Sequence, residues 1–179
     1  MFSIDPNDLP AYLHSLTVSE RRLCSWHPVE NCFDGDEEVM GKLRGVSRDE
    51  IVFSYSKALK LSSVEDQIAA RLADGFETEG GLHVALDDAS RVDMGAMATT
   101  AMAASTGAIA WPESYSQGWI TVENVRIPMP DPGAGLAIAA LVGDYYAGIR
   151  QRGRTLKDAV SEAETQSVLN AIDIESGWP

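Results

Sequence analysis

Residues 131–165 read DPGAGLAIAALVGDYYAGIRQRGRTLKDAVSEAET. Asp131 is a capping acid, and Pro132 suits the first helical turn, where a missing N–H is no loss. Apolar residues then fall at Ile138, Val142, Tyr145, Ile149, Leu156, Val160 and Ala163. The early steps are four, three and four, followed by a step of seven that Arg152 fills. This is a broken heptad seam on one long helix. Gly143, Gly148 and Gly153 each lower intrinsic helicity by about 1 kcal/mol relative to alanine. A free-standing helix with these interruptions would be weak. Packing must hold it, either on this chain's own sheet or against a symmetry-related copy.

The flanking segments supply partners for it. Downstream, Thr165 restarts a short helix with Val168, Leu169 and Ile172 on its inner face, so the two helices form a hairpin. The sequence then closes with DIESGWP, residues 173–179. Trp178 is either an exposed hook or a latch folded back over apolar surface, with Gly177 allowing the turn and Pro179 offering no backbone donor. Upstream, residues 118–130 (GWITVENVRIPMP) read as a β-hairpin with its turn at Glu123-Asn124. Trp119 and Thr121 occupy one face, Ile120 and Val122 the other. ASRVDMGAMATTAMAASTG, residues 89–107, reads as a helix that Asp87 or Asp88 caps. Its packing face carries Met94, Met97, Ala98, Ala101, Met102 and Ser105. GLHVALDD alternates as a strand. SVEDQIAARLADG is a helix that packs Val64, Ile68, Ala69 and Leu72 and stops at Gly75.

Residues 1–65 have a different character and are expected to form a separate docking segment, with residues 66–179 as the main domain. Asp5-Pro6 and Leu9-Pro10 discourage helix, so DPNDLPAYLHSL opens as turns. VSERRLCSW suits either a short helix or a strand. NCFDGDEEVMGKLRG reads as a loop around Asp34-Gly35-Asp36. Ile51, Val52, Phe53 and Tyr55 give a β-rich middle to DEIVFSYSKAL. Two or three short strands are expected in this segment. The predicted fold class is α+β: a small antiparallel sheet packed by helices, a C-terminal helical hairpin, and a smaller β-containing N-terminal segment.

Composition narrows the function classes. The 179 residues carry a net charge of −13, which repels phosphate backbones and anionic membranes and suits solubility or a basic protein partner. No nucleic-acid partner and no membrane insertion are expected. No apolar run reaches the roughly 18–20 residues that span a bilayer. MFSIDPNDLP carries acids and prolines where a secretory signal would have basic and apolar residues, so synthesis in a cytosol is expected. Cys24, His27 and Cys32 spell C-x-x-H-x4-C, but a structural zinc needs a fourth ligand from His14, His83 or an acid, and no common zinc module has this spacing. Asp34, Asp36, Glu37 and Glu38 fail as an EF-hand loop, because Val39 stands where glycine is required. Gly133 and Gly135 lack the preceding strand and third glycine of a dinucleotide site. The three histidines sit outside any nucleophile signature. The basic run Arg150, Arg152, Arg154 and Lys157 is expected to pair with Asp158, Glu162 and Glu164 or to face an acidic neighbour. Trp26, Trp111 and Tyr115 are aromatics for either packing or sugar contact. No catalytic residue, cofactor or metal is expected, and the protein is read as a non-enzyme.

The order "DGFETEGG" (residues 74–81), Ala- and Met-rich helix, strand pair, long helix and terminal "AIDIESGWP" (residues 171–179) resembles an uncharacterised domain. That domain ends many tail, tail-fibre and tail-fibre-assembly proteins of tailed phages and prophages. The resemblance spans about residues 70–179. It implies a structural component of a bacteriophage tail, in the baseplate, tail tip or fibre, made in the host cytoplasm and located in the virion. The implied partners are other tail, baseplate or fibre proteins, with the chain as a homo-oligomer or part of a three- or six-fold assembly that supports host attachment. The candidate interaction residues are Ile138, Val142, Tyr145, Ile149, Leu156 and Trp178. A non-virion chaperone for fibre assembly is the alternative. An acidic inhibitor or immunity protein that masks a basic toxin is a third possibility, raised by the net charge.

Overall fold

Helix caps decide where the first elements begin. The structure is a computed structural model that describes all 179 residues. The chain divides into two units, Met1–Ser63 with Asp158–Ile172, and Val64–Lys157 with Asp173–Pro179. The first dividing line falls inside a helix, close to the expected 65/66 boundary. The stretch 158–172 belongs with the N-terminal unit rather than with the main domain.

In the first unit, β1 (Phe2–Ser3) is followed by a 3-10 turn at Pro6–Asp8 that Asp5 caps, and by α1 (Leu9–Ser15). Pro10 lies in the first turn of α1, where proline is tolerated, so the two X-Pro steps open a helix instead of excluding one. VSERRLCSW supplies both alternatives: α2 (Val18–Arg21), then β2 (Cys24–His27). The expected loop after Asn31 is instead β3 (Cys32–Gly35) and α3 (Glu37–Gly45), because Asp36 accepts hydrogen bonds from the N–H groups of Glu38 and Val39. The three strands form an antiparallel sheet in the order β1-β3-β2, with Trp26 opposite Phe33.

The β-rich middle at 51–55 is helical, inside α4 (Arg48–Asp74). Ser47 and Glu50 bind each other's backbone N–H, a capping box that outweighs the β preference of Ile51, Val52, Phe53 and Tyr55. Ile51 is then buried with Tyr12, Leu16, Phe33, Val39, Met40 and Leu43. Arg48 closes this core by donating from Nε (2.6 Å) and Nη2 (3.2 Å) to the buried carboxylate of Asp8.

In the second unit, β4 (Phe76–Glu77) pairs with β5 (His83–Val84), a shorter strand than its alternating sequence suggests. α5 (Asp88–Ser105) starts at Asp87, whose side chain accepts from Ser90 N–H. Met94, Met97 and Ala101 are buried, whereas Met102 and Ser105 lie exposed beyond the packed stripe. After α6 (Glu113–Ser116), β6 (Trp119–Ile120) and β7 (Arg126–Ile127) make the expected hairpin, with Thr121 buried and Ile120 and Val122 exposed. α7 (Pro132–Glu162) is the long helix, with Asp131 accepting from Ala134 N–H. Thr165 caps α8 (Gln166–Ala171). Val160, Ala163 and Leu169 form a core with Phe53, Leu61 and Ile172 within the first unit. Val168 is exposed rather than on the inner face.

The chain itself fills the notches along α7. A methyl group on Gly135 would stand 2.9 Å from Met97 Sδ, one on Gly148 3.2 Å from Pro179 Cγ, and one on Gly153 2.4 Å from Ile68 Cδ1. Gly143 alone among the three interruptions read from the sequence faces open space. Gly143→Ala should therefore raise stability by up to about 1 kcal/mol through helix propensity. Gly153→Ala should lower it by about 1–2 kcal/mol, because Ile68 must move out of a filled core. Urea unfolding of the two variants checks this; equal shifts would mean that Ile68 does not occupy the Gly153 notch.

Candidate functional site

The closing motif AIDIESGWP builds a locked turn from its own polar groups. Asp173 accepts hydrogen bonds from the N–H of Glu175 (2.9 Å), the N–H of Ser176 (3.3 Å) and the Ser176 hydroxyl. The Ser176 hydroxyl, followed by the two backbone N–H groups, lowers the Asp173 carboxyl below its ordinary range. Gly177 takes φ +75°, which glycine adopts without strain. The Trp178 indole N–H donates to Ile174 O at 3.0 Å. Two arginines grip the turn from outside. Arg152 Nη2 donates to the carbonyls of Asp173 (3.1 Å) and Ser176 (2.9 Å), and Arg71 lies over the Trp178 ring at 5.5 Å. Pro179 then enters the Gly148 notch. Trp178 is half-buried in this arrangement, as a latch requires.

The β6–β7 hairpin is the second constructed feature. Its turn is pinned to β5. Val122 N–H donates to His83 O, while Glu123 accepts from the His83 N–H (3.0 Å) and from His83 Nδ1–H (2.7 Å). The His83 backbone N–H, then its ring N–H, hold the Glu123 carboxyl at about 2, down from 4.5. Asn124 takes φ +59°, which suits the tight turn. At the other end of the hairpin, Gly118 has φ +101° and a methyl there would meet Ile127 O at 2.5 Å, so the turn into β6 demands glycine.

Two clefts flank the hairpin. One, about 390 Å³, is lined by Asp74, Glu77, His83, Glu123 and Tyr145. The other, about 530 Å³, has Trp119, Tyr115 and Met129 as apolar walls and Asp93, Gln117 and Arg126 as polar ones. Trp111 donates its indole N–H to Met129 O and stacks on Tyr115 at 5.2 Å. Tyr115 is thereby held as a firm wall.

The residues named from the sequence have these places. Ile138, Val142, Ile149 and Leu156 are buried by the chain's own side chains, so they form core. Tyr145 is half-buried against Phe76 at 5.5 Å. Trp26 packs on Phe33. In the basic run, Arg152 grips carbonyls and Lys157 meets Glu65. Cys24 and Cys32 are free, and His27, opposite Cys32 in the sheet, lies an odd step from Cys24 and points to the other face of its strand. No three His, Cys, Asp or Glu side chains are grouped so as to hold a metal ion. No helix is long and apolar enough to cross a membrane. Missed from the sequence were the Glu123–His83 clamp, Trp119 as a cleft wall, and the arginine grip. Glu123 and His83, and Arg152 and the carbonyls it holds, lie tens of residues apart, so no local spacing announces them.

A second unit of short antiparallel strands on long helices, closed by a terminal latch, is a small α+β domain. A family model described as a domain of unknown function, DUF4376, matches residues 55–176. That is more than half of the chain, which belongs to this family. No curated protein and no solved structure matches it.

Trp178→Ala should cost about 1–3 kcal/mol by loss of half-buried apolar area. Arg152→Met should cost about 1–2 kcal/mol by loss of charged hydrogen bonds. Thermal melts of both variants test the latch; unchanged melting of Trp178→Ala would make it a hook. The Glu123 clamp is at full strength above pH 4.5 and is lost as pH falls towards 2, since its carboxyl is depressed only in the folded state. An acid titration followed by NMR should therefore show the hairpin resonances steady near pH 4.5 and moving as the pH approaches about 2, and this movement should vanish in Glu123→Gln.

Proposed function

We propose that the protein is a structural component of a bacteriophage tail, in the baseplate, tail tip or fibre, that works through protein–protein contacts. It acts as a homo-oligomer or within a three- or six-fold assembly of tail proteins, supports attachment to the host and performs no catalysis. It is located in the virion after synthesis in the host cytoplasm. The resemblance of residues 70–179 to the domain that closes tail and tail-fibre proteins supports the setting. The contact role is supported by the hairpin turn, where Val122 (61% exposed) and Val125 (46%) present apolar surface. That observation carries the proposal. Ile120, Val122 and Val125 are all exposed on one pinned hairpin, and apolar surface grouped in this way suits a protein contact. The core seam is already filled, so the hairpin tip replaces Ile138, Val142, Ile149 and Leu156 as the contact surface.

Mass spectrometry of purified particles should find the protein in the tail. Val122→Asp with Val125→Asp should melt as the parent does, since both side chains are exposed, and should reduce incorporation into particles at least tenfold. Absence from particles together with failed tail assembly would identify a chaperone instead. Tight, salt-sensitive binding to one basic protein, which the −13 charge favours, would identify an inhibitor.

A further inference from the structure

The cleft beside β6 has the lining of a ligand site, and we propose that it binds a neutral saccharide. Three observations carry this. The first is a pair of aromatic walls. Trp119 is half-buried on β6, anchored by the Gly118 turn, whose carbonyl accepts from Arg126 Nη1 at 3.4 Å. Tyr115 is backed by the stacked ring of Trp111, which is itself tied to Met129 O. Aromatic rings that line a cleft supply apolar surface suited to the C–H faces of a pyranose ring.

The second observation is the stock of uncommitted polar groups. Trp111 and Trp178 donate their indole N–H to backbone carbonyls, whereas the N–H of Trp119, the tryptophan lining this cleft, has no acceptor in the protein, as is also true of Trp26 in the first unit. The Asp93 carboxylate, the Gln117 amide, and the Ser114 and Tyr115 hydroxyls also make no hydrogen bond within the chain. Asp93 and Gln117 are planar side chains able to bridge two vicinal hydroxyls, and Arg126 keeps the rest of its fork free. The donors and acceptors suit a ligand that carries both on every hydroxyl.

The third is what the cleft disfavours. Asp93 and Arg126 offset each other, so the lining selects no ion. The chain's net charge of −13 works against nucleic acid. Peptide capture by strand addition needs a strand edge several residues long, and β6 has two residues. A cleft of about 530 Å³ lies within the range that holds a small organic ligand. This inference rests on the cleft alone and stands or falls apart from the tail assignment.

The test uses the full chain and a panel of neutral sugars: maltose, cellobiose, lactose, chitobiose and methyl α-rhamnoside. Tryptophan fluorescence and saturation-transfer NMR follow the titrations. At least one sugar should bind saturably at millimolar or lower concentration. Trp119→Ala should weaken that binding at least tenfold, and Asp93→Asn, at an exposed position of α5, should weaken it severalfold without lowering the melting temperature. Trp26→Phe, in the first unit, should leave the affinity unchanged. Absence of saturable binding across the panel overturns the proposal. So does binding that survives both cleft substitutions, or saturable binding of an unstructured hexapeptide pool with no response to any sugar.

Discussion

Arg152 reaches from the middle of α7 to the carbonyls of Asp173 and Ser176, and the closure of the second unit depends on that reach. The guanidinium lies against Gly177, whose absent side chain leaves room for it. With the turn held there, Pro179 settles on Gly148 and Trp178 lies under Arg71. On the same helix, Gly153 admits Ile68. Gly153 costs α7 about 1 kcal/mol of helix propensity, and burial of the Ile68 side chain in its notch contributes more, about 1.5–3 kcal/mol for a full side chain. Arg152, Gly177 and Gly148 are therefore one mutually dependent set. Remove the Arg152 grip and Pro179 loses its hold on the Gly148 notch, whereas Ile68 at Gly153 and Met97 at Gly135 come from helices that this grip does not touch.

The hairpin is constrained in a different way. It is too short to be stable by its own ladder, since two paired residues a side give little cohesion. Glu123 tethers it to His83 at one end, and the Gly118 turn fixes the other. A short hairpin held at both ends can carry exposed valines at its tip and a tryptophan on its flank without collapsing onto them. Both proposed contact surfaces use that rigidity, one for protein and the other for a small polar ligand.

Much of this was legible from local signals. The long helix, its capping Asp131, the Asp87 cap of α5, the Thr165 restart and the Glu123-Asn124 turn are all short-range features, and all are present. The errors cluster in the N-terminal unit. Ile51, Val52, Phe53 and Tyr55 favour strands by type, but the Ser47–Glu50 capping box starts a helix through them. That signal was in the sequence, as the same pattern was at Thr17 and Glu20. The seam at Ile138, Val142, Ile149 and Leu156, expected as a candidate contact face, is buried within the chain. Whether that face meets a partner chain or the chain's own residues lies outside what periodicity can report, because an apolar stripe looks the same in either case.

The sequence by itself determined the α+β class, the principal helices of the second unit, the hairpin and the glycine-notched face, because spacing and capping act over a few residues. Tertiary structure alone decided what fills each notch. It also decided that Arg152 binds carbonyls rather than neighbouring acids, and that Trp119, not Trp26 or Trp111, lines the cleft beside β6. Those outcomes depend on groups distant along the chain arriving within hydrogen-bonding or van der Waals range. Such ranges of a few ångströms are set only when the whole unit packs.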